Sequence, residues 1–487
     1  MLPEFIKMIF GILLCTQFER IRQFADSKNH QRLSSDLREP TRLRMASLFD
    51  LSVEKWQEIL AKVPPGDLCN VALTSPYMNS MASYQGLWAG MKVNPRKVRD
   101  SGLQELFNIR RFKKIKQIDF FGVKFTPEQL EKLMDDIPGF PLEDINLKYI
   151  NLSGVPADKL ARTVGHLHTV KLKSNSLSTH QCTQVLNTSI TSTTLADLNL
   201  AGNNLFGVSA NILGMAVGRL KTVNLKFTSL STDQCTQVLN TSLTSTTLVD
   251  LNLARNNLSG VPANILGMAV GRLKTVNLEY TRLSTDQCTQ VLNTSITSTT
   301  LADLNLAENN LFGVLAELLA TAVGHLQTVN LKDTLLSTVQ CTKILETIPS
   351  STTLADLNLA VNNLSGVPAD ILAMAVGRLK NVDFRRTQLT TNQCVEVLHA
   401  ITSSATLTDL DFWRINLSGV PADILALAVS RLKTVNLSNT RLTTDQCVKV
   451  LDAIPSIATL TNLYMYGIDL SGVPSDLLAK NVGRLKI

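Results

Sequence analysis

The sequence predicts an α/β solenoid, in which parallel strands stack along the inside of a curve and helices cover the outside, with a small all-α module in front. Three observations predict it. The segment LADLNLAGNNLFGV at Leu195 returns as LVDLNLARNNLSGV at Leu248, LADLNLAENNLFGV at Leu301 and LADLNLAVNNLSGV at Leu354, a period of 53 residues (248 − 195). Each period holds two short stretches of alternating apolar and polar residues, and each stretch is followed by apolar residues at helical spacing. A chain of 487 residues is too long for one ordinary core, and a composition 44% hydrophobic but only 5% aromatic suits a long, thin core of Leu, Val and Ile.

Residues 1–44 form an N-terminal segment. Its apolar run, Met8 to Cys15, is far shorter than the roughly 20 residues of a membrane span. Phe5, Ile9 and Leu13, with Phe10, Leu14, Phe18 and Ile21, fall at helical spacing and predict an amphipathic helix, with a disordered segment as the alternative expectation. Met45 is a second candidate translation start, just ahead of the next module.

Residues 45–90 read as two or three short helices. Leu51, Glu54, Trp56, Ile59, Leu60 and Val63 precede a Pro64-Pro65-Gly66 break, and Asp67 is placed to cap a second helix carrying Leu68, Val71, Ala72 and Leu73. The string from Leu51 to Trp88 resembles an F-box, whose pattern is met by Leu51, Glu54, Ile59, Leu60, Pro65, Asp67, Leu68, Leu87 and Trp88. Ser52 stands where that family usually has Pro, and Lys55 where it has an apolar residue. The resemblance implies that these nine residues bind a Skp-type adaptor, which joins the protein to a cullin ubiquitin ligase, while the array behind holds a protein substrate.

Residues 91–487 form the array, with strands expected at Ile118, Ile145, Val170, Leu198, Val223, Leu251, Val276, Leu304, Val329, Leu357, Val382, Leu410, Val435 and Leu463, and an irregular first strand around Met91 to Val93. One unit type matches LxxLxLxxNxL through Leu195, Leu198, Leu200, Asn203 and Leu205, with Leu198 and Leu200 facing the core and Asp197, Asn199 and Ala201 facing outward. Asn203 is expected to satisfy backbone groups of the turn that follows its strand. In the other type, Thr228 replaces the Asn. This pattern resembles the leucine-rich-repeat family, with two unit types alternating as in ribonuclease-inhibitor-like members. Each unit returns along a helix. Val261-Pro262 opens one type, with Ile265, Leu266, Ala269 and Val270 inward; Thr232 is the expected N-cap of the other, with Cys235, Val238 and Leu239 inward. Strands stack about 4.8 Å apart but helices need about 10 Å, so the stack must curve with its strands inside. The chain reaches Ile487 just where another strand should begin.

The net charge of +7 lies in front: residues 1–125 hold 20 Lys and Arg against 12 Asp and Glu, leaving 27 against 28 for the rest. A basic stretch from Lys92 to Lys116 reads as a solvated face, and without a zinc finger, recognition helix or interleaved aromatic platform the sequence offers no nucleic-acid site. Six of the eight cysteines, Cys182, Cys235, Cys288, Cys341, Cys394 and Cys447, are one position of the repeat, so they are expected as reduced, buried packing thiols in a cytoplasmic or nuclear protein. They form no metal cluster in sequence, and His166, His168, His325 and His399 have no recurrent Ser, Cys or carboxylate partner. No enzyme activity and no cofactor are expected.

Comparison of the copies gives the substrate surface. Strand residues such as Asn199, Asn224, Asn252 and Asn277 scarcely vary, but the two residues before the following turn do, from Ala201-Gly202 to Lys226-Phe227 to Trp413-Arg414. Helix residues such as Gln234, Gln287 and Gln446, read as equally exposed, are constant. The expected substrate anchors are therefore Tyr149, Phe227, Arg255, Tyr280, Arg385, Arg386, Trp413, Arg414, Tyr464 and Tyr466, large aromatic and Arg side chains of the kind that dominate interfaces. The alternative expectation is a free-standing protein-binding solenoid, an inhibitor, sensor or effector, whose N-terminal helices only cap the array.

Overall fold

The computed structural model describes residues 91–92 and 116–487, apart from 455–459, 482, 484 and 487. Among them sixteen strands form one sheet in sequence order: β1 (Met91–Lys92), β2 (Gln117–Asp119), β3 (Asp144–Asn146), β4 (Thr169–Lys171), β5 (Asp197–Asn199), β6 (Thr222–Asn224), β7 (Asp250–Asn252), β8 (Thr275–Asn277), β9 (Asp303–Asn305), β10 (Thr328–Asn330), β11 (Asp356–Asn358), β12 (Asn381–Asp383), β13 (Asp409–Asp411), β14 (Thr434–Asn436), β15 (Asn462–Tyr464) and β16 (Leu485–Lys486). All neighbours are parallel, and Val223 pairs in register with Leu198 on one side and Leu251 on the other. Every expected strand is present, and the chain ends in the short β16. The array is a leucine-rich-repeat solenoid.

The core lies between sheet and helices. The middle residue of each three-residue strand is buried and its neighbours are half-buried, or exposed at Gln117 and Lys171, as an alternating strand with one packed face requires. Leu198, Leu200, Leu205, Leu213 and Val217 close one unit; Val223, Leu225, Cys235, Val238 and Leu239 close the next. The six repeat cysteines are free and fully buried, and burial pushes their thiols up to about 12, or about 11 for Cys447, where Asp469 adds to it.

Side chains tie each unit to the one before it. The Asn256 amide donates to the carbonyl oxygens of Leu225 (2.8 Å) and Leu253 (3.0 Å), and its Oδ1 accepts the N–H groups of Thr228 and Leu230. It therefore serves chiefly the turn of the preceding unit, not the one that follows, because the neighbouring backbone is what stacks against it. Asn203, Asn309 and Asn362 repeat the arrangement. In the second unit type the expected N-cap, Thr232, is the first helical residue: Ser231 is the cap, and Gln234 completes a capping box with it. Gln234 Nε2 then reaches back to the carbonyl oxygens of Leu205 and Val208, both at 2.7 Å. Gln234, Gln287 and Gln446 are thus buried, contrary to the outward placement expected of them; their constancy is structural. Pro262 likewise sits at the N-cap rather than inside the first turn, and Ile265 is only half-buried.

Helices of one 53-residue period pack closely. A Cβ on Gly271 would lie 2.3 Å from Thr294 Cγ2, and one on Gly267 3.0 Å from the Gln290 carbonyl oxygen, so glycine lets the helices Ala263–Arg272 and Thr285–Thr297 approach closely here, where other units hold Ala320, Ala426 or Ser430 at the same positions. Gly214 and Gly218 do the same against Thr241.

Candidate functional site

The sheet face is concave. Residues of six successive strands, β10 to β15, line one depression of about 590 Å³, floored by Thr328, Asp356, Asp383, Asp411, Asn436 and Tyr464 among others. At the C-terminal ends of the strands runs the line of variable pairs. Its geometry has a backbone cause: the strand-end Asn accepts, through Oδ1, the N–H two residues on, as Asn252 does from Ala254 and Asn277 from Glu279. Asp383 and Asp411 replace Asn because a carboxylate accepts equally well. Tyr464 cannot, and there the N–H of Tyr466 donates to Ser438 Oγ instead. The next residue is in the left-handed region in every unit from β2 to β15, including Tyr149, Phe227, Arg255, Tyr280, Arg386 and Arg414.

The first member of the pair is not always outward. Ala201, Ala254, Ala307 and Ala360 are buried, so in those units only the second residue is offered to a ligand, and Ala201 does not face outward as expected. The remaining anchors fall into separate groups. Tyr149 packs edge-on against Phe121 at 5.4 Å, with Lys173 Nζ 5.1 Å from its ring centre. Phe121, half-exposed, was not among the expected anchors; it follows its strand at the position of Ala201, so alignment of the first unit with the later ones would have found it.

Phe227, 66% exposed, lies one unit from Arg255 and two from Tyr280. Arg255 stacks on Tyr280 at 5.8 Å and pairs with Glu279 (3.2 Å) and Glu308 (3.9 Å), while Lys226 pairs with Glu279 (3.0 Å) and Lys332 with Glu308 (3.1 Å). Burial opposes ionisation of Glu279, but Lys226 and Arg255 hold its carboxyl below the usual range. Arg255 is thereby neutralised within the array, by Glu279 and Glu308 at the first and second rim positions of the two units that follow.

Arg385 is also engaged, with Asp383 (2.5 Å) and Asp411 (3.6 Å). Burial raises Asp411, against the Trp413 N–H, Asn436 and Arg385, which favour its charge. Arg386 and Arg414 instead meet at Trp413, their guanidinium carbons 4.8 and 4.5 Å from its ring. Tyr464 lies in the floor of the depression and Tyr466 beside it, rings 6.3 Å apart. The expected adaptor-binding residues, Leu51 to Trp88, lie outside the described residues.

Residues 48–90 match the F-box domain model. The chain thus carries an F-box domain in front of a leucine-rich-repeat solenoid. Among curated proteins it is similar to two from Homo sapiens. NACHT, LRR and PYD domains-containing protein 12 is 25% identical over 260 residues, covering 50% of this chain and 24% of that protein. NACHT, LRR and PYD domains-containing protein 13 is 26% identical over 334 residues, covering 64% and 32%. The chain therefore spans about a quarter to a third of the length of these relatives. Among solved structures it is similar to a chain in the complex of Rad7 and Elc1 from yeast (TM-score 0.47, 13% identity, 98% of this chain and 97% of that one). It is also similar to the leucine-rich-repeat protein LegL7 from Legionella pneumophila (TM-score 0.39, 18% identity, 60% and 99%). Among the described residues, no helix is long and apolar enough to cross a membrane, and no group of His, Cys, Asp and Glu is arranged to hold a metal.

Proposed function

We propose that this chain is the substrate-recognition subunit of a Skp–cullin–F-box type ubiquitin ligase, acting in the cytoplasm or nucleus. Residues 45–90 bind the adaptor, and the array from residue 91 onward holds a protein substrate along the C-terminal ends of its strands. The observation that carries the reading is the F-box match at residues 48–90, placed directly before a concave leucine-rich-repeat sheet. The role is positioning rather than bond chemistry: the chain brings a bound substrate to the conjugating enzyme.

Co-purification of the full chain with a Skp-type adaptor tests it. The unmodified chain should retain the adaptor, and Pro65→Ala, Leu68→Ala and Trp88→Ala together should release it while the circular dichroism of the array is unchanged. If the unmodified chain does not retain the adaptor, the free-standing binding solenoid replaces this reading.

A further inference from the structure

The array contains its own internal control for one place on the rim. Four units place a buried Ala at the first rim position, at Ala201, Ala254, Ala307 and Ala360. The unit of β13 places there a half-exposed Trp413. The same unit has Phe412 for Leu, Asp411 for Asn and Ile415 for the buried Asn of the ladder, and Phe412 stacks at 6.0 Å on Phe384 of the unit before. Phe121 and Tyr466 are rings at the same position in the units of β2 and β15, but among the described residues neither has an Arg over it.

We propose that Arg386, Trp413 and Arg414 form a receptor for a short cluster of Asp or Glu side chains in the protein partner, an inference that rests on the reading of this rim as the substrate surface. Charge separates this place from the units between β6 and β12; Lys148 and Lys173, near the start of the rim, also have no carboxylate within 4.0 Å among the described residues, and Lys173 lies on the Tyr149 ring. Lys226, Arg255, Lys332 and Arg385 are each paired with a carboxylate of the array. Arg386 and Arg414, both exposed, have none within 4.0 Å among the described residues. The Trp413 ring holds the two guanidiniums in place while leaving their N–H groups for a carboxylate, which an Arg fork meets with two parallel hydrogen bonds.

The surroundings limit the length of the acidic segment. The neighbouring rim residues are Asp333, Val361, Ser438 and Asn439, and the adjoining floor carries Asp356, Asp383, Asp409 and Asp411. A long polyanion such as a nucleic acid would be repelled one strand away from the Arg pair, whereas two or three carboxylates beside an apolar residue fit.

The probe is a fluorescent peptide with the core Glu-Glu-Phe-Glu in a Gly/Ser frame, titrated into the full chain and followed by anisotropy. It should bind, and more weakly as salt rises. Its Gln-for-Glu counterpart should bind about tenfold or more weaker, and Arg386→Gln with Arg414→Gln should lose affinity by a similar factor. Lys226→Gln with Lys332→Gln should leave affinity unchanged. Equal binding of the Gln peptide, undiminished binding by the Arg variant, or no binding at millimolar peptide overturns the proposal. So does binding of only a phosphoserine counterpart. Adaptor retention by the same samples is read in parallel: its absence strikes the ligase reading alone, and peptide failure with the adaptor retained strikes this inference alone.

Discussion

Gln287 donates from Nε2 to the carbonyl oxygen of Leu258, 2.7 Å away in the unit before its own. The same amide nitrogen reaches the Val261 carbonyl oxygen, and Oε1 accepts the N–H of Ser284, so one side chain closes a capping box and sews two units together. Gln287→Ala removes the side-chain donor to the Val261 carbonyl oxygen and the acceptor of the Ser284 N–H, and leaves the Leu258 carbonyl oxygen with the Val261 N–H alone, so it is expected to cost about 2–4 kcal/mol. Urea denaturation checks this; a loss under about 0.5 kcal/mol, ordinary for a surface change, would contradict it.

The thiols set an alkaline limit on the array. Below pH 9.0, the ordinary thiol value, they are protonated whether the chain is folded or not, and their contribution is fully present. Between pH 9.0 and about 12 the unfolded chain loses these protons and the folded chain keeps them, so stability falls as pH rises. The melting temperature should drop steeply over that window, and Cys235→Ala with Cys288→Ala should flatten the slope. Native thiols should also resist a disulfide reagent at pH 8 until the chain is unfolded.

Val361 holds the left-handed rim conformation at φ 65°, where three other units have Gly122, Gly202 and Gly467. A β-branched residue is strained there, so Val361→Gly is expected to raise stability by up to about 1 kcal/mol despite the added freedom of the unfolded chain. The reverse change, Gly202→Val, would drive a Cβ to 2.5 Å from Ser174 Oγ and should destabilise. Thermal melts of the pair decide it by their opposite signs.

Replacing Arg386, Trp413, Arg414 and Tyr466 by Ala together is expected to abolish capture of the substrate with adaptor retention intact and stability changed by less than about 1 kcal/mol. Gln287 and Gln446 cannot serve as the surface control for this experiment, because they are buried. Met215→Ala and Met268→Ala, on exposed helix positions, replace them and should leave capture unchanged.

The periodicity made the strands legible to the residue, because a two-residue alternation repeated at a fixed interval leaves little freedom of register. The helix starts were misplaced by one residue at Thr232 and Pro262, where neighbouring residues are equally good caps on paper. Gln234 was misread because helix spacing alone puts it on the outer face. The Ser231-x-x-Gln234 spacing of a capping box was the available signal, and it shows the side chain bending back toward its own N-terminus. Rim positions were legible as variable, but ion pairing was not: Arg255 and Arg386 look alike in sequence, and only the neighbouring strands show that Glu279 and Glu308 neutralise the first.

The reach of each unit into its predecessor limits how such a chain can change length. Asn256 serves a turn of the Thr228 type, and Gln287 serves a turn of the Val261 type, so each unit recognises only the opposite kind behind it. Loss or duplication of a single unit would set two of one kind side by side and strand both sets of hydrogen bonds. Loss or duplication of a 53-residue pair restores every junction. Recombination between the near-identical copies can therefore lengthen or shorten the array in paired steps, changing the number of units ahead of Trp413 without disturbing a junction.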